Sequence, residues 1–205
     1  MERYDPITMY SWKHIEPRPL LHLGEITRAF LQSGPSDMRE AAHLIQSFRY
    51  GRNSDPANPR VVLDERCGTC STKHALMRRL ADEQNVPMAL TVGIYEMSER
   101  NTPGIGSVLK RFGLLCLPEA HCYLRVRGER IDLTGLPEAA EGQPVQHFLL
   151  EQNIEPEDIT DYKVILHKRF LESWNSRQQS SQYSTQELWS IREKCILALS
   201  SAASA

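Results

Sequence analysis

Apolar residues recurring three and four apart mark helices in this chain, and continuous or alternating β-branched runs mark strands. The first such pattern is Leu20, Leu23, Ile26, Phe30 and Leu31, which predicts an amphipathic helix ending near Ser33-Gly34-Pro35. A second follows, with Met38, Ala41, Ala42, Leu44, Ile45 and Phe48 on one face. Ser36 is placed to cap it, Asp37 falls in its first turn, and Gly51 ends it. Residues 51–60 are rich in Asn, Asp and Pro and read as a loop, with Val61-Val62-Leu63 as a short extended piece after it. Residues 1–19, punctuated by Pro6, Pro17 and Pro19, read as extended surface chain.

The stretch Glu65-Arg66-Cys67-Gly68-Thr69-Cys70-Ser71-Thr72-Lys73-His74-Ala75-Leu76 reads as a turn running into a helix. Gly68 supplies the turn, and Thr69 is a good N-cap, which puts Cys70 at the first helical position. Ala75, Leu76 and Leu80, with Met77 and Ala81, form the inward side, and the helix stops near Asn85 before Val86-Pro87. Met88 to Tyr95 predicts a buried strand. A Gly/Pro-rich loop over Asn101–Gly106 and a short helix within 107–117 follow. His121–Val126 and Arg130–Leu133 form a hairpin about Arg127-Gly128-Glu129.

The C-terminal third reads as mainly helical. Val145, Phe148, Leu149 and Leu150 suggest a short helix, and Tyr162–Trp174 fits either a strand then a helix or one helix. Gln178–Gln182 is a polar linker, and Ser184-Thr185-Gln186-Glu187 is a capping box. The last helix points Leu188, Ile191, Cys195 and Leu199 inward, and the Ser/Ala tail from Ser200 frays. The expected class is α+β: a small antiparallel sheet packed on the Cys70 helix, with additional helices at both ends. One domain spans 1–205, made of N-terminal helices (20–60), a catalytic-like core (61–136) and a mostly helical extension (137–205).

Composition adds bounds. A hydrophobic share of 40% in 205 residues supports a sizeable core. The net charge of −2 argues against nucleic acid as a partner. Five cysteines, an odd number at irregular spacing, make a poor disulfide framework and point to a reducing compartment. No apolar run approaches a membrane span, and Met1–Pro6 has no apolar leader, so a cytoplasmic location is expected.

The candidate chemistry starts at Cys70. A thiol among the free N–H groups of a helix start, at the positive end of the macrodipole, is drawn towards thiolate. If Arg127-Gly128 is a two-residue turn, Val126 opposes Glu129, and Asp132 becomes the diagonal neighbour of His121 on one face. A register shift of one residue separates them. On the first register Asp132 orients the imidazole, and His121 takes the thiol proton.

This arrangement resembles the transglutaminase-like superfamily of papain-fold cysteine enzymes. Gly68-Thr69-Cys70 followed by Ala75-Leu76 and Val86-Pro87 looks like the family's nucleophile helix and the strand after it. His121-Cys122-Tyr123-Leu124-Arg125-Val126 looks like its His strand, and Gly128-Glu129-Arg130-Ile131-Asp132-Leu133-Thr134 like its Asp strand. The resemblance covers about residues 61–136; Ile131 stands where the family usually carries an aromatic. It implies a catalytic triad of Cys70, His121 and Asp132 acting on an amide or ester, in a peptide or protein among other substrates, through a thioester. No metal or organic cofactor is implied.

Three alternatives stand beside it. Cys67-Gly68-Thr69-Cys70 is a Cys-x-x-Cys at a helix start, preceded by Val61–Leu63, and resembles thioredoxin-like redox motifs, with Leu117-Pro118 as an imitation of their proline loop. Cys67 and Cys70 with His121, Cys122 or Cys116 form a zinc reading without a second Cys-x-x-Cys. The third is a non-catalytic module whose cysteines are core. Among the remaining residues, His74 lies at plus four from Cys70 and is expected in a supporting or surface place, and Lys73 in solvent. Cys116 and Cys195 are expected in the core, and Cys122 on the packed face opposite His121. His14, His22, His43, His147 and His167 show no partner pattern, and Trp12, Trp174 and Trp189 read as packing residues.

Overall fold

The computed structural model describes residues 11–22, 24–136, 145, 147–178 and 182–202. Leu23, most of 137–146 and the centre of the 178–182 linker, all named above, lie outside the described residues. Two amphipathic helices, α1 (Glu25–Ser33) and α2 (Met38–Ser47), open the fold after a 3-10 turn at Ser11–His14. Asp37, rather than Ser36, caps α2, its carboxylate accepting from the Glu40 amide at 2.8 Å. Ser36 instead donates to the Glu40 carboxylate, which closes the reciprocal half of the cap.

Two-residue strands β1 (Arg49–Tyr50) and β2 (Cys67–Gly68) pair in parallel around the 51–60 loop. Between them Val61–Glu65 is the helix α3, not an extended piece. All three apolar residues are buried on one short turn, and Arg66 ends it in the left-handed region at φ 48°. Tertiary burial has overridden the β-branched preference of Val61 and Val62.

The helix α4 (Cys70–Glu83) starts at the predicted residue, with Thr69 and Thr72 forming a reciprocal box. Its first eight residues are all buried, because α1, α2 and the sheet close around it. The sheet is antiparallel throughout, in the order β5-β4-β3-β6. Its strands are β3 (Ala89–Met97), β4 (Leu117–Val126), β5 (Glu129–Ile131) and β6 (Leu150–Ile154). The last of these corrects the short helix expected around Leu149-Leu150. Its middle residues are exposed, so an edge strand there carries no strand-like apolar pattern.

The two sheet faces feed different cores. Leu90, Val92, Ile94, Ala120, Cys122 and Leu124 pack with α1, α2 and α4. Tyr95, Met97 and Leu117 pack with α5 (Gly106–Arg111) and α7 (Thr185–Ala202). Tyr162–Trp174 resolves into the single helix α6 (Asp161–Ser176), entered through a 3-10 turn at Pro156–Ile159. The architecture is therefore α+β, a small antiparallel sheet with helices at both ends. Among the described residues no helix is long and apolar enough to cross a membrane.

Candidate active site

The hairpin turn decides which side chains meet. Arg127 (φ 53°) and Gly128 (φ 86°) both take the left-handed region that a two-residue turn of matching twist requires. The register is Val126 with Glu129, Arg125 with Arg130 and Leu124 with Ile131. β5 then stops, so the edge of β4 beside residues 121–123 is left to other partners, and α4 delivers Cys70 to it.

Asp132, one residue past β5, accepts from His121 Nε2 at 2.8 Å. Its other oxygen accepts from the Thr134 amide at 2.8 Å, which fixes the carboxylate. With Nε2 committed, Nδ1 is the nitrogen left to face the Cys70 sulfur, on whose charge the imidazole acts. The structure thus joins His121 to Asp132 and sets the imidazole near enough to Cys70 to act on its charge. Cys70 is buried, and His121 and Asp132 retain only 13% and 18% of their side-chain exposure, so charges here are weakly screened.

Burial pushes the Cys70 thiol up, but Lys163, the His121 imidazole and the Cys122 backbone N–H outweigh it and bring it down to about 6. Burial disfavours His121 as a cation, yet Asp132 and the sulfur raise it well above the usual histidine range. Burial also opposes ionisation of Asp132, and His121 and His74 hold it far below the usual carboxylate range. The three directions agree on a thiolate–imidazolium–carboxylate row at neutral pH.

His74 turns out to join the two halves of the site. Its Nδ1 lies 2.6 Å from the Cys70 carbonyl, and the Leu133 amide donates to its Nε2 at 2.6 Å. A carbonyl can only accept and an amide can only donate, so the ring is neutral with its proton on Nδ1. Burial holds it down to about 4 in spite of Asp132 nearby. Replacing His74 with Phe leaves the Leu133 amide unpaired, while the Cys70 carbonyl keeps its helical bond, and should cost about 1–3 kcal/mol in urea unfolding, the penalty for one buried unsatisfied group. In the wild type the neutral ring contributes stability that is fully present above its unfolded value of about 6.5 and is lost as pH falls towards about 4, because the unfolded chain binds the proton first.

Lys73 is a correction to the expectation of a solvated side chain. It is wholly buried, and its ammonium donates to the carbonyls of Phe48 and Thr134 at 2.5 and 2.7 Å, pinning α2 and the Asp132 segment to α4. Burial lowers it to about 8. Cys116 is only half-buried and so is not core, whereas Cys195 and Cys122 are buried as expected. His167 has a partner after all, the Pro118 carbonyl at 2.9 Å.

A cavity of about 360 Å³ opens on the sulfur side of the site. Cys70 lines it, along with Tyr50, Glu119, Lys163, Trp189 and Arg192. Its walls come from α6, α7 and the 52–56 segment, not from the Asn101–Gly106 loop, whose Ile105 is buried in the second core. Glu119 and Arg192 form a bidentate buried pair at 2.7 and 2.5 Å that ties β4 to α7. Burial works against the Glu119 carboxylate, but Arg192 holds it down to about 2. Lys163, Ser71 and this pair escaped sequence reasoning, since each depends on a partner seventy or more residues away.

Comparison with protein-family models, with curated proteins and with solved structures finds no match. The strand that a thioredoxin-like motif needs before Cys67 is the helix α3. Among the described residues no group of three His, Cys, Asp or Glu side chains is placed to hold a metal ion.

Proposed function

We propose that this chain is a thiol-dependent acyl-transfer enzyme of transglutaminase-like, papain-fold type, acting on an amide or ester carbonyl. The observation that carries the reading is the His121–Asp132 contact of 2.8 Å, set against a thiol at the first position of a helix. Nucleophile on a helix start, with His and Asp on neighbouring antiparallel strands, is also what the family resemblance implies.

In the proposed reaction the Cys70 thiolate adds to the carbonyl carbon, and the C=O π pair moves to oxygen. The Cys70 backbone N–H, at the helix start, donates to that oxyanion. Collapse re-forms the C=O and breaks the bond to the amine or alcohol, which leaves with the proton of the His121 imidazolium. The resulting thioester is attacked by water or an amine. His121 removes a proton from the attacker, the C–S bond breaks, and the thiolate returns.

Iodoacetamide mapping at neutral pH tests the first requirement. Cys70 should be alkylated before the other four cysteines, since reactivity follows thiolate character. Burial moves Cys195 up to about 11 and also raises Cys116 and Cys122, which makes them slow by comparison. Labelling of Cys195 or Cys116 with Cys70 inert contradicts the assignment.

A further inference from the structure

Lys163 is a buried cation on α6 for which, among the described residues, no carboxylate lies within ion-pair distance. Glu119, the acid that acts on it, is already engaged by both arms of Arg192. The two contacts of the ammonium are the Ser71 hydroxyl at 2.7 Å and the Cys70 sulfur at 3.9 Å. A buried charge without an opposite charge is costly, and the ordinary response is to lose the proton. Lys163 does the reverse: burial opposes its charge, but the sulfurs of Cys122 and Cys70, and Glu119, hold it above the usual lysine range.

We propose that Lys163 is a catalytic residue of the acyl-transfer site, a fixed cation that holds the Cys70 thiolate. The inference rests on the function proposed above and adds a fourth member to the row. Cys122 is the rival sulfur, but burial in the core raises its thiol in spite of Lys163 and His121, and it accepts from the Ser71 hydroxyl at 3.7 Å. Cys70 instead is lowered by Lys163, His121 and the Cys122 backbone N–H together, with the Lys163 ammonium 3.9 Å from its sulfur. Ser71 acts as the positioning group: it accepts from Lys163 and keeps the ammonium beside the sulfur. The other titratable groups acting on the sulfur or the ammonium are Tyr50 on β1, Lys73 on α4, Tyr95 on β3, Glu119 on β4, His167 on α6 and Arg192 on α7. The two phenols carry no positive charge, burial holds His167 down, Glu119 and Arg192 pair with each other, and the Lys73 ammonium is engaged by the Phe48 and Thr134 carbonyls.

The test is the pH dependence of iodoacetamide alkylation at Cys70 in the full chain, read by peptide mass. The wild-type rate should climb through a midpoint near pH 6 and then level off. Lys163→Met and Lys163→Gln should move the midpoint up by at least about one unit, so that alkylation slows at least about 5-fold at the wild-type midpoint and about 10-fold well below it. The Gln amide can still donate to Ser71, so this second variant keeps the buried hydroxyl paired, and either variant alone decides the question. Lys163→Arg, which retains the charge, should recover most of the shift. A merely structural lysine would lower the melting temperature without moving the midpoint. An unchanged midpoint in the neutral variants overturns this inference alone. A wild-type Cys70 inert at every pH overturns the acyl-transfer reading and the inference with it.

Discussion

Cys70→Ser should abolish turnover of an ester substrate, by at least about 10⁴-fold, while Cys67→Ser keeps most of it. The two cysteines sit three residues apart, so the pair of variants separates acyl transfer from dithiol chemistry. Only Cys70 stands at the helix start, drawn towards thiolate by His121 and 3.9 Å from the Lys163 ammonium. Cys67 is buried in β2, and its carbonyl accepts from the Asn53 amide at 2.8 Å, a backbone contact that serine preserves. A redox pair would lose activity equally from either replacement. Equal loss, with both variants folded, would therefore remove the acyl-transfer assignment.

Asp132→Asn should lower kcat on the order of 10²–10⁴-fold and change the shape of the pH profile. The amide retains the size of the carboxylate but not its charge, so the imidazolium loses the group that raises its pKa. The competent state is thiolate with imidazolium. In the wild type it forms as pH rises through about 6 and disappears only where His121, shifted well upward, gives up its proton. Without the Asp132 charge the alkaline limb moves down, which narrows the profile from its alkaline side. A stopped pH–rate series on both proteins checks this. An Asn variant with a wild-type profile would mean that Asp132 serves only to anchor the Thr134 amide and the imidazole's position.

Local signals carried much of the site. The Thr69 cap placed the helix start, and the Arg127-Gly128 turn placed the register, so Cys70, His121 and Asp132 could be singled out from short stretches. What escaped was set by distant chain. Lys73 reads as a surface residue at the start of a helix, and only the carbonyls of Phe48 and Thr134, 25 and 61 residues away, give it a place inside. Lys163 on α6 looks like any helix lysine until Ser71, 92 residues earlier, is brought beneath it. His74 was visible as a neighbour of the thiol, but its tie to Leu133 needs the β5 segment folded back onto α4. The edge strand β6 and the short helix α3 were misread for complementary reasons. One is a strand with an exposed polar middle, the other a β-branched run that burial bends into a helical turn.

Trapping the acyl intermediate shows directly whether Cys70 is the nucleophile. The full chain would be mixed with p-nitrophenyl acetate, quenched in acid, and its mass measured intact and after digestion. One acetyl group is expected, carried on Cys70 and discharged by neutral hydroxylamine as a thioester is, with no such adduct in Cys70→Ser. A wild-type chain that gains no acetyl group at Cys70, or gains it equally in the Cys70→Ser variant, would contradict it.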